Sequence, residues 1–139
     1  KFHMIFDKAG IKQGDKVSLL GKNSAHWCAT YLATVTYGAV SVPIMPDFKP
    51  DDLTNIINHS DSNLLLVDEM IWDTLKFEDL PELSGVYMLE DFRFATGRDK
   101  ELEKFSLNID DEFNKAYPSF NAGDIKYSDI DNEEMAVLS

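Results

Sequence analysis

A few places along the chain combine residue types at a spacing that could do chemistry. Gly21-Lys22-Asn23-Ser24 follows a short apolar run and precedes a helix-like stretch, a position where helix N-terminal amides bind phosphate, and it resembles a Walker loop. That mechanism needs a glycine five residues before the Gly-Lys pair and Ser or Thr directly after the lysine. Lys16 and Asn23 stand there instead, so the segment reads as a tight turn with a helix cap. Asp68 closes the run Leu64-Leu65-Leu66-Val67, where a receiver domain carries its phosphorylated aspartate. The acids that would hold magnesium at the end of the first strand are missing, because Gly21, Lys22 and Asn23 occupy that place. Asp68-Glu69 therefore reads as a strand exit and helix start.

His26 and Cys28 lie two apart on a helix and point to different faces, so they cannot share a metal or form a catalytic dyad. Cys28 reads as a small buried core filler. His3 and His59 have no partner evident in sequence. The pairs Asp51-Asp52, Asp110-Asp111 and Glu133-Glu134 diverge on a helix and read as solvated faces. No Gly-x-Gly-x-x-Gly dinucleotide fingerprint occurs. The residues offer a scaffold and no assembled site: catalytic none, cofactor-binding none, metal none.

The elements that would position such a site alternate. Phe2, Ile5 and Phe6 share a helix face that stops at Gly10, and Ile11 to Asp15 is a turn. Val17 to Leu20 is a buried strand, followed by a helix from about Ala25 to Tyr37, capped by Ser24 and stopped by Gly38. Trp27, Cys28, Tyr31, Leu32 and Val35, with alanines between, leave that helix so little polar surface that burial on more than one side is expected, as between a sheet and a second layer. Ala39 to Val42 resumes as strand, ended by Pro43 and Pro46, which makes a βαβ unit with parallel strands. Pro50 opens a helix whose inner stripe is Leu53, Ile56 and Ile57; Leu64 to Val67 and Val86 to Leu89 are further strands, with a short helix Glu69 to Leu75 between them.

This rhythm argues for an α/β fold, a doubly wound and mainly parallel sheet with helices on both faces, in one subdomain spanning 1–139. The charged stretch Asp91 to Lys104 carries Gly97 and reads as a surface loop or a poorly packed helix, within a surface loop or insertion over 91–109. Beyond it, Asp110 would cap a helix holding Phe113, Ala116 and Tyr117 and ended by Pro118; Asn121 to Asp124 is a turn, and the acidic stretch Asp129 to Glu134 leads into the apolar run Met135 to Leu138.

Composition bounds the partners. The chain has 139 residues, 44% hydrophobic, with a net charge of −12. So acidic a surface repels phosphate backbones and anionic headgroups, which argues against nucleic acid and membrane surfaces. The single cysteine excludes an internal disulfide and fits a cytoplasmic protein, and no apolar run reaches the roughly 20 residues of a transmembrane helix. Both ends read as cut: Lys1-Phe2-His3-Met4 lacks an initiator Met, and the other end stops inside an apolar run.

The order of these pieces resembles the opening of AMP-forming acyl-CoA synthetases, members of the adenylate-forming fold. The resemblance rests on Gly10 to Val17, then Asn23-Ser24 and Trp27, then Gly38-Ala39-Val40 with Val42-Pro43. Pro50 to Leu53, His59 to Ser62 and Leu64 to Val67 extend it. In that family a phrase like Asp129 to Ser139 runs into a Ser/Thr/Gly-rich loop that holds the ATP phosphates.

The resemblance implies that the chain is part of the larger N-terminal domain of such an enzyme, most like a long-chain fatty acid–CoA ligase. The parent would use ATP and Mg to convert a fatty acid to an acyl-adenylate and pass the acyl group to CoA. This fragment alone would be inactive, would have the remainder of the same polypeptide as its partner, and could self-associate through exposed apolar surface. The competing expectation is a free-standing flavodoxin-like binding or interaction domain that uses the crevice at the carboxyl ends of the strands.

Overall fold

The computed structural model describes residues 2–116. Parallel strands must be buried on both faces, because each crossover lays a helix on the sheet. The strands are β1 (Lys16–Leu20), β2 (Val40–Ile44), β3 (Leu64–Val67), β4 (Gly85–Met88) and β5 (Phe94–Gly97). They form one sheet in the order β2-β1-β3-β4-β5, parallel except for β5, which runs antiparallel to β4. The helices are α1 (Phe2–Lys8), α2 (Ala25–Tyr37), α3 (Pro50–His59), α4 (Glu69–Trp72), α5 (Lys100–Leu107) and α6 (Ile109–Ala116). The expected class, mainly parallel with helices on both faces, is what the sheet shows.

The strand period of two sorts the core into two layers. Val17, Leu19, Leu64, Leu66 and Tyr87 face α1, α2 and α5, where they meet Ile5, Phe6 and Leu102. Leu20, Val42, Ile44, Leu65, Val67, Val86 and Met88 face the other way, onto Leu53 and Ile57 of α3 and the Leu80–Leu83 segment. One polar island lies on that side. Ser18 Oγ is 2.6 Å from Ser62 Oγ, Ser62 Oγ is 2.7 Å from Ser60 Oγ, and Ser60 donates to the Ile57 carbonyl at 2.7 Å. Each hydroxyl is satisfied, so their burial costs little.

Several expectations are corrected. Strand β2 continues through Pro43 to Ile44. Val40 N–H donates to Asp15 O on the β1 side, so by alternation Pro43 turns its missing donor to the outer side of an edge strand, where no β1 bond is lost. Helix α4 ends at Trp72 rather than Leu75. Asp110 sits inside the first turn of α6 and does not cap it. Pro118, the Asn121 to Asp124 turn, Glu133-Glu134 and the Met135 to Leu138 run lie outside the described residues.

The stretch 91–109, expected as a surface loop or insertion with a poorly packed helix as the other reading, holds β5 and α5. Gly85 and Gly97 face each other across the β4–β5 pair, and a Cβ on Gly97 would lie 2.5 Å from the Ser84 carbonyl oxygen. Only glycine admits that approach. Asp99 caps α5, its carboxylate accepting the Glu101 and Leu102 amides at 3.1 Å each. The Arg98 guanidinium donates to the carbonyls of Leu80 at 2.7 Å, Leu83 at 3.1 Å and Phe77 at 2.9 Å. Leu102 is fully buried, and Ser106 meets the Tyr87 hydroxyl at 2.6 Å.

Helix α2 is corrected too. Its N-cap is as expected, Ser24 Oγ accepting the Trp27 amide at 3.1 Å, and Gly38 ends it with φ of 103°. Burial on more than one side is not what the described residues show, although Trp27 and Tyr31 do pack against the core. Thr30 and Thr34 are the residues buried on the sheet, while Leu32 and Cys28 are exposed. The threonines donate to the carbonyls four residues back, Thr30 to His26 at 2.9 Å and Thr34 to Thr30 at 2.8 Å, and so enter the core without an orphaned hydroxyl.

Two outcomes follow for stability. Leu102→Ala should cost about 2–5 kcal/mol in urea unfolding, as for a buried leucine; a cost of about 0.5 kcal/mol or less would return 91–109 to a surface loop. Burial pushes the Tyr87 hydroxyl up to about 12 from 10.0. Folding therefore favours the protonated phenol, and its contribution is complete below pH 10 and lost as pH rises toward 12. Tyr87→Phe should flatten the fall in stability over that window; an unchanged slope would contradict it.

Candidate functional site

In doubly wound sheets ligands bind at the carboxyl ends of the strands, where the strand order reverses. Here the chain leaves β1 toward β2 and later returns on the other side as β3, so that point lies between β1 and β3. The groups there are Gly21 and Lys22 after β1, Asp68 and Glu69 after β3, and Leu89 and Glu90 after β4.

The chain's own side chains fill this point. A Cβ on Gly21 would lie 2.6 Å from Leu89 Cδ1 and 2.8 Å from Asp68 Oδ1, so both side chains rest against the Gly21 backbone. The Lys22 amide donates to Asp68 Oδ2 at 3.1 Å. That amide is the donor a phosphate loop would present, and a carboxylate already holds it. Asp68 stands before α4 yet makes no side-chain cap there, since its carboxylate turns toward β1.

A second cluster borders the first. Arg93 Nη2 lies 3.0 Å from Glu69 Oε1 and Nη1 lies 3.3 Å from Asp91 Oδ2, while Glu90 Oε1 accepts the Glu69 amide at 2.9 Å. Asp91 and then Glu69 raise the Arg93 pKa further above its ordinary value. The pairs are half exposed, so solvent screens them and they add little stability. Four carboxylates against Lys22 and Arg93 leave this end of the sheet acidic. It does not fit the phosphates of ATP, and no phosphoryl step is assigned to these residues.

The remaining candidates stay apart. His26 packs its ring 4.6 Å from that of Phe92, and Cys28 faces outward on the same helix. His3 Nε2 is 3.1 Å from the Ala33 carbonyl and 3.2 Å from Thr36 Oγ1, partners that sequence spacing could not reveal. Burial lowers its pKa, with the Ala33 bond opposing. Asp51 and Asp52 are exposed in the first turn of α3. Among the described residues no group of three His, Cys, Asp or Glu side chains could hold a metal ion. No helix among them is long and apolar enough to cross a membrane.

The sequence profile of one family, described as AMP-binding enzyme, matches residues 3–138. The 4-hydroxybutyrate–CoA ligase 2 of Metallosphaera sedula is 32% identical over 68 residues, which are 49% of this chain and 12% of that enzyme. Malpibaldin synthetase of Mortierella alpina is 43% identical over 75 residues, 54% of this chain and 1% of the synthetase. The crystal structure of coronafacic acid ligase from Pectobacterium brasiliense superposes with a TM-score of 0.68 over 98% of this chain and 25% of that one. At 23% identity that likeness shows the fold. The matched residues thus cover 12% and 1% of the length of these two curated relatives.

Gly21→Ala should destabilise the fold by about 1–3 kcal/mol, because a methyl group must displace Leu89 and Asp68. Asp68→Ala in the same chain should recover part of that loss, a coupling of at least about 0.5 kcal/mol in a double-mutant cycle. Strict additivity would mean that Gly21 and Asp68 do not press on one another.

Proposed function

The chain belongs to the AMP-binding enzyme family, and from that premise we propose that it is a scaffold subdomain of a fatty acid–CoA ligase. The parent is an adenylate-forming enzyme. On this reading it joins a carboxylate to ATP, with magnesium offsetting the phosphate charge, to give an acyl-adenylate and pyrophosphate. The thiol of CoA then displaces AMP. The fatty acid substrate, the transfer to CoA, a cytoplasmic setting and the remainder of the polypeptide as partner all belong to this proposal.

The observation that carries it is the pairing of a family match over 3–138 with a strand-end crevice closed by the chain's own groups. The sheet supplies a rigid platform, and Asp68, Leu89 and the Arg93 cluster hold its carboxyl end in one arrangement. The same crevice weighs against the free-standing flavodoxin-like reading. The strand order suits that class, but the ligand's place is taken by Leu89 and Asp68.

The purified 139-residue chain should catalyse no carboxylate-dependent exchange of pyrophosphate into ATP. The parent enzyme should do so under the same conditions. Exchange by the short chain above the no-enzyme rate would overturn the scaffold reading.

A further inference from the structure

Helix α1 is bonded to α2 near both of its ends. The Tyr37 hydroxyl lies 2.5 Å from Asp7 Oδ1 and 2.9 Å from the carbonyl oxygen of Ile11, just past the helix. At the other end His3 Nε2 sits 3.1 Å from the Ala33 carbonyl oxygen and 3.2 Å from Thr36 Oγ1. Thr36 gives its own hydrogen to the Leu32 carbonyl at 2.6 Å, and a carbonyl only accepts, so both partners face His3 as acceptors. Nε2 therefore carries the ring hydrogen, and Nδ1 is the nitrogen left to take a proton as pH falls.

A charged ring has little to meet at this contact. Helix α2 holds no Asp, Glu, Lys or Arg, and the titratable group it sets against the imidazole is Tyr37, with ring centroids 5.3 Å apart. On α5, Glu101 is taken up by Lys8 at 3.8 Å. Burial is the largest influence and holds the His3 pKa below its ordinary 6.5; the Ala33 bond and the Asp7 carboxylate oppose it, and the positive amino terminus adds to it.

We propose that His3 is an acid-sensitive latch, holding α1 on α2 while its imidazole is neutral and releasing α1 when Nδ1 takes a proton. The unfolded chain accepts that proton more readily than the folded one. The latch is therefore present above pH 6.5, the unfolded value, and is lost as pH falls through the lower folded value.

His3→Gln keeps an N–H close to the Nε2 position and cannot titrate, so it separates the bond from the proton. Between pH 8 and pH 5 the folding equilibrium constant of the unaltered chain should fall at least about threefold further than that of His3→Gln. Equal falls would overturn the proposal. Over the same range the amides of Ala9 and Ile11, which donate to the Ile5 and Phe6 carbonyls, should lose hydrogen-exchange protection relative to β3 in the unaltered chain only. A parallel loss in β3 would overturn the latch in favour of global unfolding. Proton NMR of the unaltered chain, which needs no variant to fold, should titrate His3 below 6.5, and a value at or above 6.5 would contradict the proposal. Acetylating the amino terminus should leave the difference between the two chains in place; its disappearance would overturn the proposal by assigning the effect to the terminal charge.

Discussion

The structure depends on one constraint, the complete sealing of β3 from water on both faces. Leu64, Leu65, Leu66 and Val67 are each at most 1% exposed. A strand of four large aliphatic residues can be sealed only by neighbours on either edge and by cover above and below. β1 and β4 flank it; α1, α2 and α5 lie on one side, and α3 with the Leu80–Leu83 segment lies on the other. The crossover helices follow from the parallel order, and the switch point between β1 and β3 follows from the strand sequence.

That constraint also explains which parts of the molecule were legible in the sequence. β3 could be read from four consecutive aliphatic residues, and β1 and β4 from similar runs. The limits of α2 were readable because Ser24 and Gly38 act locally through a cap and a left-handed stop. The sides of α2 were not readable. Hydrophobicity places Leu32 inside and threonine outside, but a threonine that donates to the carbonyl oxygen of its own preceding turn is small and satisfied, and it suits close packing on a sheet. The strand and the packed helix of 91–109 were hard to read for the converse reason. Their charge is abundant, and the groups that tie them to the core, Leu102 and Ser106 with Phe92, Phe94, Phe105, Arg98 and the Gly97 contact, are scattered through it. Asp99 followed by Leu102 was the available signal, a cap three residues before an apolar position.

The same logic accounts for the strand-end crevice. Walker-like and receiver-like readings of Gly21-Lys22 and Asp68 fail in sequence because essential partners are missing. They fail in three dimensions because the two pieces engage each other, with Asp68 holding the Lys22 amide. What could not be seen in sequence is that pairing across 46 positions, or the approach of Leu89 to Gly21. Gly21 is thus a packing glycine, and the acids around it leave this end of the sheet acidic.

The central claim is that this subdomain carries architecture rather than chemistry, and carboxylate-dependent pyrophosphate exchange by the parent enzyme tests it most directly when Asp68→Asn, Glu69→Gln, Glu90→Gln and Arg93→Gln are each introduced. The account predicts exchange rates per folded molecule within about threefold of the unaltered enzyme, since none of these groups is given a proton or a phosphate to handle. A well-folded variant slowed by about 100-fold or more, the loss that follows removal of a general acid or base, would contradict it.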